Sequence, residues 1–259
     1  MTEFSGILAI AYRDFLKFIR DKERMIFSLV FPLVFITILG GSLNANFEKD
    51  AGYNILTFIF IGVLAQTLFQ STASGIISLI EDRENDFSQE IFVSPISRYS
   101  IIIGKILGES TVAMTQIIGL FLIAFITKIP LNLPKLLLLI PFGLVVCLFG
   151  GAFGVVIMSN LKSQRSANQI FPFIMFPQFF LAGVFNPIKN LPVYLTVLSR
   201  ISPMTYAVDL LRGIYYTSGS EYDKVVLLPT VSNILIVGIL TTVFIVIGTY
   251  LFIRNEKNR

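Results

Sequence analysis

Long apolar runs separated by short polar breaks organise the chain from end to end, and the spacing within each run sets the element it predicts. In residues 1–24, Phe4, Ile7, Leu8, Tyr12, Phe15, Leu16 and Ile19 recur at three- and four-residue spacing, with Arg13, Lys17 and Arg20 on the other side. That pattern predicts an amphipathic helix lying in a membrane interface. Charge interrupts the run and no small-residue cleavage site follows it, so a cleaved signal peptide is not expected. Six runs then approach the roughly 20 apolar residues needed to cross a bilayer. They are 25–43, 55–80, 101–127, 136–159, 170–185 and 231–253, the fifth being short. Pro32, Pro172 and Pro177 fall inside spans and predict kinks there.

Two stretches break this alternation. Residues 186–230 are too apolar for a free loop, yet Pro187, Pro192 and Pro203 interrupt them. Proline at a helix start predicts two short helices, 192–201 and 203–215. They form a re-entrant pair before the last span, allowed at membrane depth only where protein covers the backbone. Asp209 and Arg212, three apart on the second helix, are placed to pair on one face. The other stretch is 81–98, EDRENDFSQEIFVSPISR, a dense polar and acidic segment between two long spans. Charge so placed lies in water or against another protein, and such loops are where a rigid scaffold carries function. No internal repeat or separate soluble domain is visible, so a single all-α membrane domain is expected.

Composition sharpens the class. The chain of 259 residues is 54% hydrophobic and 14% charged, against about 25% charged for soluble domains. A net charge of +4 does not point to nucleic acid, because the basic residues flank spans and set orientation. Arg13, Lys17, Arg20, Lys22, Arg24, Arg83, Arg98, Lys105, Lys162, Arg165, Arg254, Lys257 and Arg259 fall on one side. That richer side is cytoplasmic by the positive-inside rule, which puts both termini and 81–98 inside and agrees with an even number of spans.

Catalytic chemistry has little to stand on. There is no His, and the single cysteine, Cys147, lies in an apolar run, so a Ser/His/Asp set, a Cys/His metal cage and an intrachain disulfide are excluded. No phosphate-binding loop occurs, since Gly104–Lys105 lacks the upstream glycine. Within the spans, Glu109 stands four residues after Lys105, and a Lys105–Glu109 pair is the simpler expectation. A gate or proton site is the sharper one, because ionisable groups inside membranes tend to be functional. Gln66, Gln70, Gln116, Asn168, Gln169 and Gln178 read as interhelical hydrogen-bond partners. The phenylalanines of the fifth span, Phe176 and Phe180 among them, either line a greasy passage or face lipid.

The acidic stretch and the proline-rich segment carry a resemblance. Residues 82–98, DRENDFSQEIFVSPISR, and the later run through Pro203, Thr205, Tyr206, Asp209 and Arg212 resemble two motifs of the ABC-2 type permeases. These are the membrane subunits of ATP-binding-cassette exporters of drugs, lipids and glycans. The motifs occur in the family's order, and the likeness covers essentially the whole chain. One departure is Asp86, where the family commonly has Gly; Asp tolerates a left-handed turn better than most residues.

The resemblance implies a cytoplasmic coupling helix over 81–92, stopped at Ser94–Pro95. Glu81, Arg83, Glu84, Glu90, Phe92, Ser94, Pro95 and Arg98 would form the docking element, with Glu84, Glu90 and Arg83 facing a separate ATPase and Ile91, Phe92 and Val93 anchoring the helix. It further implies a homodimer with two ATPase copies, ATP and Mg held by the partner subunits and no cofactor on this chain, in the plasma membrane among lipid. An amphiphilic or hydrophobic substrate is favoured over a glycan or lipid-linked polysaccharide, because aromatic content sits in 25 Phe with no Trp. An ion-gradient-driven transporter would usually show inverted repeats and midplane charges, and neither is visible. A membrane scaffold without flux would bind a partner through the same loop.

Overall fold

The computed structural model describes residues 3–84, 97–161, 163–217 and 219–257. Helix is the only regular structure among them. Helix α1 spans Glu3–Arg20 and α2 spans Lys22–Val34. A π-helical segment, Phe35–Gly40, leads directly into α3, Gly41–Ala51. Next come α4 (Ile55–Gly75), α5 (Ile77–Glu84), α6 (Arg98–Ile126), α7 (Leu133–Met158) and α8 (Gln164–Leu181). Helices α9 (Val193–Ile201), α10 (Pro203–Tyr215), α11 (Tyr222–Val225) and α12 (Thr230–Lys257) complete the order.

Side-chain caps set many of the starts. Asp21, Asn54, Ser97, Asn132 and Ser163 each accept a hydrogen bond from the backbone N–H three residues on, which satisfies one of a helix's four orphan donors. Gly52, with φ +67°, closes α3 in the left-handed conformation. The expected short helices at 192–201 and 203–215 fall on α9 and α10, with Pro192 as the residue before α9 and Pro203 opening α10.

Among the described residues five helical stretches are long and apolar enough to cross a membrane: Lys22–Phe47, Ile55–Asp82, Arg98–Ile126, Leu133–Met158 and Tyr222–Asn255. The expected fifth span, 170–185, falls on α8, which is not among the five. Its 18 residues give it the length, but the polar start Gln164, Arg165, Ser166, Asn168 and Gln169 leaves it less apolar than a crossing requires. The first expected span, 25–43, is exceeded at both ends, because Asp21 caps the helix ahead of Lys22 and the π segment lets it run on past Gly40.

Helix α4 is the hub. Every residue from Thr57 to Phe69 is buried, as expected of a helix that is apolar all round. Helices α6, α7 and α10 pack on it, and α12 packs on α7 and α10. Small residues allow the closest crossing: a Cβ on Gly154 would stand 2.6 Å from the Ala73 carbonyl oxygen, and one on Gly150 would overlap the Phe69 carbonyl. This is small-residue packing of the kind that joins helices in lipid. By contrast, α2 leaves much of its apolar surface open, including Ile26, Phe27, Val30 and Phe31.

Candidate functional site

Charge gathers where α2 and α6 begin and α5 ends. Gly6, Ile10, Asp14 and Phe18, each four apart, form the buried stripe of α1, which packs along α6. Gly104 and Gly108 of α6 let the backbones close in, a Cβ on Gly108 falling 3.0 Å from Ala11 Cα. Phe4, Leu8, Tyr12 and Ile19 stay exposed on the same helix. The close approach delivers Asp14 to Lys105, which follows the first of the two glycines.

Lys105 is 1% exposed. Its Nζ lies 3.1 Å from Asp14 Oδ2 and 2.6 Å from Asp82 Oδ2, and it donates to Ser78 Oγ at 3.1 Å. Arg13 bridges the same two carboxylates, at 2.9 Å to Asp14 and 2.5 Å to Asp82. Among the described residues two buried or half-buried cations thus meet two anions, the balance a buried charge cluster requires. Burial works against the Arg13 charge, but Asp14 and Asp82 outweigh it and raise the guanidinium pKa further. Lys17, half exposed and 3.6 Å from Asp82, adds little.

Lys105 and Glu109 do not pair with each other. Glu109 Oε2 meets the Arg24 guanidinium at 3.3 Å, and Ser78 Oγ stands 3.4 Å from its other oxygen. Glycine at position 75 makes room, since a Cβ there would overlap the Glu109 carboxylate. Local spacing favoured the i,i+4 pair, worth about 0.5 kcal/mol on a helix surface. The buried carboxylate of Asp14 decides for the long-range contact instead. Asp14 escaped the sequence reading because its neighbours Arg13 and Lys17 marked a polar face. The signal was its register with Ile10 and Phe18, together with the small residues flanking Lys105.

The acidic stretch is anchored at both described edges. Asp82, on α5, enters the cluster. Glu81 is half-buried, and Arg83 lies in the last turn of α5. Glu84 is exposed and accepts from the Gln164 backbone N–H at 3.2 Å, which ties α5 to the start of α8. Glu90, Phe92, Ser94 and Pro95, like Asp86, lie outside the described residues. Past that segment, Ser97 caps α6, Arg98 opens it, and the Ser97 N–H donates to the Glu3 carboxylate at 3.1 Å. The Ser100 hydroxyl and the Ser97 N–H hold the Glu3 carboxyl below its usual range.

The proline-rich signature acts as a fastener. Pro203 starts α10; Thr205 donates to Ser199 O at 2.6 Å and Tyr206 to Arg200 O at 2.7 Å, both on α9. Asp209 and Arg212 do not form the expected pair. The Asp209 carboxylate accepts from Leu227 N (2.7 Å), Leu228 N (2.9 Å) and Asn233 Nδ2 (2.6 Å), binding α10 to the start of α12. Arg212 donates to Val184 O at 3.0 Å and Phe58 O at 3.4 Å, with its guanidinium 3.5 Å over the Phe58 ring. Opposite charges three apart each found several buried partners elsewhere, which a surface pair could not match.

Phe176 and Phe180 are both exposed, with ring centroids 5.2 Å apart. Phe179 beside them meets Phe31 at 5.6 Å and Phe35 at 4.8 Å. The open faces of α2 and α8 are therefore neighbours.

Comparison with known proteins covers these same features. The profile of the ABC-2 type transporter family matches residues 5–216. A protein named a transport permease, ycf38, in Cyanophora paradoxa is 24% identical over 217 residues, spanning 81% of this chain and 73% of the relative. Its namesake in Porphyra purpurea is 24% identical over 266 residues, spanning 98% and 89%. A protein named a multidrug ABC transporter permease, YbhR, in Escherichia coli (strain K12) is 30% identical over 148 residues, 56% of this chain and 39% of that relative. The matched range takes in the buried charge cluster, the anchored acidic stretch and the α10 fastener, and the chain belongs to the ABC-2 type transporter family.

Proposed function

We propose that this chain is the non-catalytic permease subunit of an exporter that moves an amphiphilic or hydrophobic substrate across the plasma membrane, driven by ATP hydrolysed on a separate ATPase subunit. The working unit is a permease homodimer with two ATPases, which hold the ATP and Mg. Helix α8 supplies a short sixth crossing, so both termini and the acidic stretch are cytoplasmic, as the Lys/Arg bias requires. Helices α9 and α10 form the re-entrant pair of the outer leaflet. The adjacent apolar faces of α2 and α8 support a path at the interface between copies.

One observation carries the proposal. Asp82, at the base of the acidic stretch, is bonded to Lys105 on α6 and Arg13 on α1. A partner pressing on 85–96 would therefore act on a rigid ion cluster and pass its displacement to two helices. Interiors packed in this way respond as bistable units and not by continuous deformation.

The test is coexpression with an ABC ATPase of the same genome, followed by copurification and ATP turnover in lipid. A stable complex is expected, in which Glu84→Ala with Glu90→Ala abolishes or uncouples turnover. Glu84→Gln alone, which keeps an acceptor for Gln164 N–H, leaves the permease folded as a control. Folded permease that binds no ATPase would overturn the proposal.

A further inference from the structure

A cavity of about 320 Å3 opens between α2, α4 and α6. One wall is apolar, with Phe27, Phe31 and Pro32 of α2. The other is polar, with Gln66 of α4 and Gln116 of α6 at its centre. Both glutamines are more than nine-tenths buried. Gln66 Nε2 donates to Gln70 at 2.8 Å, and Gln116 Nε2 donates to Ser71 Oγ at 2.9 Å. Among the described residues nothing donates to either carbonyl oxygen. An unmet acceptor at this depth carries an uncompensated desolvation penalty. Two of them beside one cavity ask for a ligand that brings donors.

We propose that this cavity is a binding site, within a single copy of the chain, for the uncharged hydroxyl-bearing head of an amphiphile, whose tail lies against Phe27 and Phe31. The chemistry of the walls selects the head. Among the described residues no carboxylate lines the cavity, while the Arg24 guanidinium does, so a cationic head would meet a like charge and no counterion. An anionic head would compete with Glu109 for the Arg24 guanidinium, its partner at 3.3 Å, and, bringing no donors, would leave both glutamine oxygens unmet. Hydroxyls satisfy the two oxygens, once each buried amide turns toward the cavity, without disturbing that pair. The site rests on the proposed function only in taking an amphiphile as the thing moved, and its test needs no ATPase.

The chain has no Trp, so Phe27→Trp places a single fluorophore at the cavity wall. This reporter protein, in lipid nanodiscs, is titrated with octyl glucoside, with octyltrimethylammonium and with octyl sulfate, all below their micelle concentrations. A saturable emission change is expected with octyl glucoside alone. Gln66→Leu with Gln116→Leu in the reporter background raises its half-saturation at least fivefold. Folding is checked by the shielding of buried Cys147 from a maleimide dye, and if the double variant fails that check, the single Gln66→Met and Gln116→Met variants replace it. Equal responses to all three amphiphiles, or a half-saturation unmoved by the glutamine substitutions, would overturn the site and show partitioning into an apolar wall only. Either result leaves the ATPase test of the permease unaffected.

Discussion

Replacing Lys105 by Met is the most direct probe of the ion cluster. Lys105 is 1% exposed, and its Nζ serves Asp14, Asp82 and Ser78 within 3.1 Å. Methionine has similar length and fills the space, so the substitution removes charge with little cavity. It leaves two buried carboxylates to share Arg13. Breaking a buried ion pair from one side costs about 3–5 kcal/mol, because the remaining charge is uncompensated. Adding Asp14→Asn restores the balance to one anion, Asp82, and one cation, Arg13. The double variant is therefore expected to recover at least half the loss, a coupling of about 2 kcal/mol, within the range seen for residues in contact.

The chain carries its own reporter for this cycle. Cys147 on α7 is the single cysteine and is fully buried, so a fluorogenic maleimide reads unfolding directly. At about 2–4 °C per kcal/mol, Lys105→Met lowers the midpoint by roughly 10 °C, and the double variant by less than half of that. A loss below about 1 kcal/mol for the single variant would place the lysine in water, as for an exposed pair. A double variant worse than the sum of its parts would refute mutual ion pairing in the cluster.

Two further outcomes follow from the packing. Gly150→Ala drives a Cβ into the Phe69 carbonyl and should cost about 1–3 kcal/mol, whereas Gly238→Ala meets nothing within 4 Å and should gain up to about 1 kcal/mol of helix propensity; the Cys147 assay reads both, and equal effects would refute the close α4–α7 crossing. Asp209→Asn weakens a carboxylate that accepts three hydrogen bonds, each worth about 1.5–3 kcal/mol when charged. Amide exchange at Leu227 and Leu228 should quicken at least tenfold, and unchanged exchange would remove Asp209 from its clamping role.

Which features the sequence exposed follows from the range of the forces involved. Proline and capping signals act within a few residues, and they placed α9 and α10 to within a residue of their bounds. Apolar runs located the five described helices long and apolar enough to cross a membrane, but not how far each runs, because Asp21 and the π segment extend the first beyond its apolar core. Local spacing misled at both charged sites for one reason. An i,i+3 or i,i+4 pair offers a few tenths of a kcal/mol on a solvated helix, whereas a carboxylate carried into the interior needs several donors at once. Asp14 reaches Lys105 across 91 positions, Arg13 reaches Asp82 across 69, and Arg212 reaches Phe58 across 154. Those separations carry no local signature. What betrays them is the company each charge keeps: Asp14 in register with Ile10 and Phe18, Lys105 between Gly104 and Gly108, Arg212 on a helix otherwise rich in apolar residues. A charge that interrupts an apolar stripe near small residues is bound for the interior, and its partner lies on whichever helix those small residues admit.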